Sequence, residues 1–203
     1  MMMMKSATSL FRMTVVAGLT GLLFQGELLA TCIAPKTVKT QWTAFKTMKK
    51  IGVKGSFNAV EVNFKKVVSS QKPQSPQEQL IDQIERLSLS IDPLKLSTDN
   101  LARDKNIKDY FFDGQTPIKV SVIKATGKWI TTKITLNSVT KKVPFRYQVS
   151  KKQIKASAHL DILDFSLASA LARLSKACFS MHEGKTWSHV EVAISAKLID
   201  CQK

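Results

Sequence analysis

Apolar and polar residues alternate along much of this chain, which is the pattern of strands with one buried face. In one example, Ile118, Val120 and Val122 alternate with Lys119 and Ser121. Comparable runs occupy residues 53–64, 87–91, 130–136, 143–149, 154–162 and 190–198. Seven or eight strands with short connections predict an antiparallel barrel or sandwich.

The run over residues 53–64 changes phase by one residue near Asn58 and Ala59, which predicts a bulge or bend at that point. Two other segments depart from the strand pattern. Residues 98–112 begin with capping residues, which predicts a short helix or loop. Leucines at helical spacing predict an amphipathic helix over residues 167–180. Residues 69–78 contain Pro73 and Pro76 and predict an irregular loop.

The N-terminal thirty residues differ from the rest of the chain. Lys5 and Arg12 precede an apolar run over residues 14–24, which is too short to span a bilayer. A small residue, Ala30, follows a polar break. We therefore expect residues 1–30 to be a signal peptide and residues 31–203 to form the folded domain. In the alternative, residues 29–32 act as a lipobox and Cys32 carries a lipid at the outer membrane.

The chain is strongly basic, with a formal net charge of +16. Such a charge attracts anionic partners. Lysine greatly outnumbers arginine, and the basic residues are spread over nearly every predicted strand, which does not favour base or phosphate recognition. We therefore expect no nucleic-acid partner. Contact with an anionic membrane or an acidic partner is the more consistent use of this surface.

No catalytic motif is apparent in the chain. The three histidines, His159, His182 and His189, are not accompanied by a nucleophile motif, a phosphate-binding loop or a zinc-protease motif. Cys178 and His182 are four residues apart and could supply two metal ligands, but no second Cys and His pair accompanies them. We therefore predict a protein that is not an enzyme, with no metal and no cofactor.

Three cysteines in an exported chain predict one disulfide. Their spacing leaves the pairing open. The favoured pair is Cys178 with Cys201, since the helix carrying Cys178 could pack near the last strand. The rival is Cys32 with Cys201, because the first and last strands of an even-stranded barrel are neighbours.

Several motifs occur in a characteristic order. WTAFK at residues 42–46 precedes VKGSF at 53–57, and SID at 90–92 precedes STDN at 97–100. The pair RD at 103–104, YFF at 110–112, DILDF at 161–165 and WSHVEV at 187–192 follow. Together they resemble the YceI-like family of polyisoprenoid-binding periplasmic proteins, over residues 38–198.

The resemblance implies a mainly β fold, a single extended antiparallel lipocalin-like barrel of about eight strands with one amphipathic helix and a short helical or looped segment. It implies a non-catalytic periplasmic carrier that holds an isoprenoid or similar lipid inside. In the alternative, the inward side chains fill a solid core and the protein docks through its basic exterior.

We expect the lipid to contact aromatic side chains in the interior or at its mouth, with Trp42 and Trp187 bracing the ends. Arg103 would meet a phosphate head group or, as we favour, pair with Asp104. The expected ligand-binding residues are Phe45, Phe57, Arg103, Phe111, Phe112, Phe145, Phe165 and Trp187.

Overall fold

The computed structural model describes residues 31–66 and 75–201. The expected signal peptide at residues 1–30 lies outside the described residues. Most of the loop expected at 69–78 also lies outside them.

Eleven strands form one curled sheet in the described part of the chain, and every pairing among them is antiparallel. The strands are β1 (Thr31–Ile33), β2 (Lys39–Lys46), β3 (Ile51–Phe57), β4 (Val60–Phe64), β5 (Leu87–Ile91), β6 (Leu96–Ser97), β7 (Ile118–Thr126), β8 (Trp129–Leu136), β9 (Val139–Val149), β10 (Gln153–Asp161) and β11 (Thr186–Asp200). Their order in the sheet is β4-β5-β7-β8-β9-β10-β11-β2-β3-β6, with β1 paired to β11.

The two ends of this order, β4 and β6, meet through bends in the chain. The Asn58 backbone N–H donates to the Lys95 carbonyl oxygen at 2.8 Å, and the Asp92 N–H donates to the Ala59 oxygen at 3.1 Å. These bonds join the β3–β6 pairing to the β4–β5 pairing. The sheet therefore curls into the lipocalin-like fold that the family resemblance implies.

The predicted count of about eight strands is too low. The phase change at Asn58 and Ala59 separates β3 from β4. Pro93, which has no backbone N–H to donate, begins a 3₁₀ turn that separates β5 from β6. The three-residue β1 is too short to show a pattern in the sequence.

Within the described residues, three α-helices cover the two ends of the curled sheet: α1 (Pro76–Arg86), α2 (Leu101–Tyr110) and α3 (Ala168–Ala177). At one end, α1 packs on β1, β4 and β7. At the other end, α2 and α3 pack on each other and contact β6 and β11 respectively. With at most eleven residues each, the helices of the described ranges are too short to cross a membrane.

Helix α1 corrects the prediction of irregular structure up to residue 78. Pro76 occupies the first turn, where its missing N–H costs no hydrogen bond. Ser75 accepts from the Glu78 backbone N–H, and the Glu78 carboxylate accepts from the Ser75 N–H, which is a capping box. Asn100 caps α2 in a similar way, since its side chain accepts from the Arg103 N–H at 2.9 Å.

The disulfide joins Cys32 to Cys201, so the favoured Cys178–Cys201 pair is wrong. Strand β1 pairs with the end of β11 and places Cys32 opposite Ile199. Cys178 is buried beside α2 instead, with its Sγ 3.6 Å from Asn106 Nδ2. A disulfide-bonded Cys32 has no thiol to carry a lipid, so this pairing also overturns the lipoprotein alternative. The disulfide suggests an oxidising, exported compartment.

Candidate binding cavity

Two apolar cavities border the inner face of the sheet in the described residues, and the larger of them lies between the sheet and the α2–α3 pair, with a volume of about 160 Å³. Its wall is almost entirely apolar. A cavity of this size and lining admits a hydrocarbon about as large as benzene. Helices α2 and α3 contribute Ile107, Leu171 and Leu174, and the turn that follows α2 contributes Phe111 and Phe112. The strands contribute Trp42, Ala44, Phe57, Ile134, Phe145, Val190 and Val192 among others.

The smaller cavity, of about 50 Å³, lies on the α1 side and is bordered by Ile33, Ile84 and Ile154. Phe145, together with Val120 and Ile194, borders both cavities. Phe145 is only 1% exposed. Phe145 therefore forms part of the boundary that the two cavities share.

One wall of the larger cavity is a row of aromatic rings. The centroids of Trp42 and Phe57 are 6.4 Å apart, those of Phe57 and Phe112 are 6.0 Å apart, and those of Phe111 and Phe112 are 4.9 Å apart. Trp42 lies over Gly55, where a Cβ atom would come within 2.2 Å of the indole. Only glycine leaves room for the ring at this position of β3.

The larger cavity brings together five of the eight predicted ligand-binding residues, namely Phe57, Phe111, Phe112, Phe145 and Trp187. Phe45 lies on the other face of β2, beside Gly52, because Trp42 and Ala44 take the inward positions. Phe165 is buried but does not line either cavity. Contact of any of these residues with a ligand stays a prediction.

The favoured pairing of Arg103 with Asp104 is wrong. The buried Asp104 carboxylate accepts from the Thr98 N–H at 2.8 Å and from the Thr98 hydroxyl at 2.5 Å, which fixes the turn before α2. Within the described ranges, Arg103 forms no ion pair and does not line the larger cavity. Its proposed role toward a phosphate head group stays a prediction.

Strand β11 bulges where it passes the cavity. Thr186 pairs with Lys46, and Val190 pairs with Ala44. Three residues of β11, at positions 187–189, therefore lie opposite one residue of β2, Phe45. Such a bulge redirects side chains, and here Trp187 reaches the cavity wall. Trp187 is also fixed by its Nε1–H, which donates to the Thr47 carbonyl oxygen at 2.8 Å.

His182 lies near this bulge, and its Nδ1 is 2.7 Å from the Thr186 hydroxyl. Burial, and then the positive charges of Lys46 and Arg103, lowers the pKa of His182 below its usual 6.5. The neutral imidazole therefore contributes stability that is fully present above pH 6.5 and is lost as the pH falls toward the lower pKa of the folded state.

We expect the free energy of unfolding to decrease on acidification from pH 7.5 to 5, and His182→Gln to reduce that decrease. Urea unfolding at both pH values measures the effect. The exposed His159 provides the control, His159→Gln, which should keep the full pH dependence. An unchanged pH dependence in His182→Gln would contradict the assignment.

No group of three or more His, Cys, Asp or Glu residues in ranges 31–66 and 75–201 is placed to hold a metal ion. The side chains of Cys178 and His182, which are four residues apart, contact different partners. The Cys178 sulfur contacts Asn106, and the His182 imidazole contacts Thr186.

Comparison with known proteins gives a family match and a fold match. The YceI-like domain model matches residues 33–198. A polyisoprenoid binding domain from Saccharophagus degradans, implicated in plant cell wall breakdown, superposes with a TM-score of 0.58 at 14% identity, covering 85% of this chain and 99% of that one. BcnA from Burkholderia cenocepacia superposes with a TM-score of 0.51 at 12% identity, covering 83% and 99%. No curated protein sequence matches the chain.

Proposed function

The chain belongs to the YceI-like domain family, and on this basis we propose that it is a non-catalytic binding protein for an amphiphilic lipid whose apolar chain enters the larger cavity. The first candidate is a polyisoprenoid, because the Saccharophagus degradans neighbour is described as a polyisoprenoid binding domain. Quinone-like and fatty amphiphiles share the same chemistry.

The observation that carries this proposal is the apolar cavity under α2 and α3. Burying a hydrocarbon contributes about 0.8 kcal/mol for each CH₂ group, so a five-carbon isoprene unit contributes about 4 kcal/mol. Contacts of this size can exceed the cost of ordering a flexible ligand. A wall that offers few polar partners would recognise the chain of the lipid rather than its head group.

Phe145 would set the depth to which a chain is inserted. The larger cavity holds a segment of about one isoprene unit by its volume of about 160 Å³. Insertion as far as the smaller cavity would displace the Phe145 ring, the largest of the side chains that border both cavities. A longer chain therefore depends on rotation of Phe145 or on displacement of α2 and α3 from the sheet.

We place this protein in the periplasm, as a carrier or store of its lipid. The Cys32–Cys201 disulfide supports an oxidising compartment, and the basic start with a short apolar run at residues 14–24 is typical of an exported precursor. The alternative function is a basic interaction protein that binds no lipid inside and uses its net charge of +16 to dock on anionic partners.

Organic extraction of the protein purified from a bacterial periplasm, followed by mass spectrometry, tests the proposal. We expect about one prenyl or fatty amphiphile per protein molecule. The extracted protein should then bind prenyl alcohols of increasing length with rising affinity, and a change of head group should matter less than a change of length. Absence of extracted lipid together with no binding of any prenyl alcohol would favour the alternative.

A further inference from the structure

Two loops form a single rim beside the larger cavity. The rim comprises residues 46–51, at the β2–β3 turn, and residues 179–187, which lead into β11. The Thr47 N–H donates to the Lys185 carbonyl oxygen at 2.9 Å, and Lys46 Nζ donates to the Met181 oxygen at 3.2 Å. Trp187 belongs to the rim and also lines the cavity. The rim is therefore one connected surface that reaches the cavity wall.

The rim exposes several large apolar side chains. Met48 is 70% exposed, Phe179 is 66% exposed, Met181 is 54% exposed and Ile51 is 48% exposed. Single exposed apolar residues are ordinary on a protein surface, but a group of them indicates an interaction site. The Phe179 ring is additionally close to Gly184, at 3.2 Å from the position of a Cβ atom there.

Positive charge surrounds these apolar side chains. The rim contains four lysines and one carboxylate, Glu183. The Nζ atoms of Lys50 and Lys185 lie 4.4 and 4.6 Å from the centroid of Trp187. Apolar side chains that can enter the head-group region, together with lysines that attract anionic lipids, are the two components of peripheral membrane binding.

We propose that the rim docks on an anionic phospholipid bilayer. Met48, Phe179 and Met181 enter the head-group region, while Lys46, Lys49, Lys50 and Lys185 face the lipid phosphates. Trp187 lies at the boundary between the lipid head groups and water, where tryptophan is commonly found in membrane proteins. Docking extends the proposed function, because it brings the wall of the larger cavity against the bilayer and lets an apolar chain pass between them without crossing water.

Sedimentation with vesicles tests the rim. We expect the protein to bind vesicles of phosphatidylcholine mixed with phosphatidylglycerol, to bind vesicles of pure phosphatidylcholine more weakly, and to dissociate at high salt. Two rim variants should each bind the mixed vesicles at least tenfold more weakly: Met48→Ser with Phe179→Ser and Met181→Ser, and Lys49→Glu with Lys185→Glu.

Matched controls carry equal changes elsewhere. Leu94→Ser with Ile123→Ser and Val149→Ser removes three other exposed apolar side chains, and Lys133→Glu with Lys141→Glu reverses two exposed charges on the β8–β9 hairpin. Both controls should bind vesicles within about twofold of the unmodified protein. Circular dichroism confirms that every variant is folded before its binding is compared.

Vesicle binding by folded rim variants that equals that of the unmodified protein would overturn the proposal. Equal loss in the controls would also overturn it, because general charge would then explain the binding. So would a protein that binds an acidic polypeptide such as polyglutamate but no vesicle. Lipid extraction distinguishes failure of this proposal from failure of the cavity proposal. Rim variants should still yield extracted lipid, whereas Ala44→Phe, which fills the cavity, should yield at least tenfold less lipid and still bind vesicles.

Discussion

Replacing Ala44 with phenylalanine is expected to reduce the lipid retained by the purified protein at least tenfold. Ala44 lies on the inward face of β2 and lines the larger cavity. The added ring is about as large as the hydrocarbon that a cavity of this volume admits. It introduces no polar group, so the variant loses binding space without burying an unsatisfied donor or acceptor. Since one isoprene unit is worth about 4 kcal/mol, the loss can greatly exceed tenfold.

The neighbouring residue on the same strand supplies the control. Thr43 lies on the outer face of β2, where its methyl group is 3.2 Å from the position of a Cβ atom at Gly52. Thr43→Phe therefore adds comparable bulk to the outside of the sheet and should retain the lipid. Mass spectrometry of organic extracts, normalised to folded protein, compares the two variants. Full lipid retention in Ala44→Phe would mean that the chain is not held in this cavity.

Removal of the Cys32–Cys201 disulfide, through Cys32→Ser with Cys201→Ser, is expected to lower the free energy of unfolding by about 2–5 kcal/mol. The bonded residues are 169 positions apart. Closing so long a loop restricts the unfolded chain strongly, which puts the expected effect at the upper end of that range. The disulfide also holds the three-residue β1 against β11 and beside α1. Guanidinium unfolding of both proteins measures the difference.

Cys178→Ser provides the matched control for this experiment. Cys178 is buried and carries a free thiol near Asn106, so the change keeps the disulfide and exchanges one small side chain for another. We expect Cys178→Ser to lower the free energy of unfolding by less than removal of the disulfide does. If the unfolding midpoint is the same before and after reduction, the disulfide does not stabilise the domain.

The sequence predicted the strands of this fold better than it predicted their connections. Alternation specifies which residues of β7 are buried, and Ile118, Val120 and Val122 are indeed in the core. The prediction of a loop over residues 69–78 does not include the start of helix α1, because prolines usually interrupt regular structure, whereas a proline such as Pro76 is tolerated in the first turn of a helix. The Ser75 and Glu78 pair of its capping box was present in the sequence and would have predicted the start of this helix.

The residues of the cavity were predicted only in part, for physical reasons that differ between positions. Phe45 was placed in the cavity because it is aromatic, but neighbouring residues of a strand face opposite sides, and Trp42 and Ala44 take the inner side. Leu171 and Leu174 belong to a helix predicted from its spacing, yet the spacing does not reveal that the apolar face borders a cavity. Prediction of the disulfide pairing requires knowledge of β1, and the three residues of this strand are too few to show an alternating pattern.

The bond between Cys32 and Cys201 turns the intervening chain into a covalent ring that contains ten of the eleven described strands in full. A pulling force applied to residues 32 and 201 is carried by the sulfur bridge and does not load the hydrogen bonds between strands. A single proteolytic cut within the ring leaves one covalent molecule, whose two pieces separate only after reduction. Because the ring is closed by a covalent bond next to α1, the domain resists force applied between residues 32 and 201, and a molecule cut once within the ring stays in one piece.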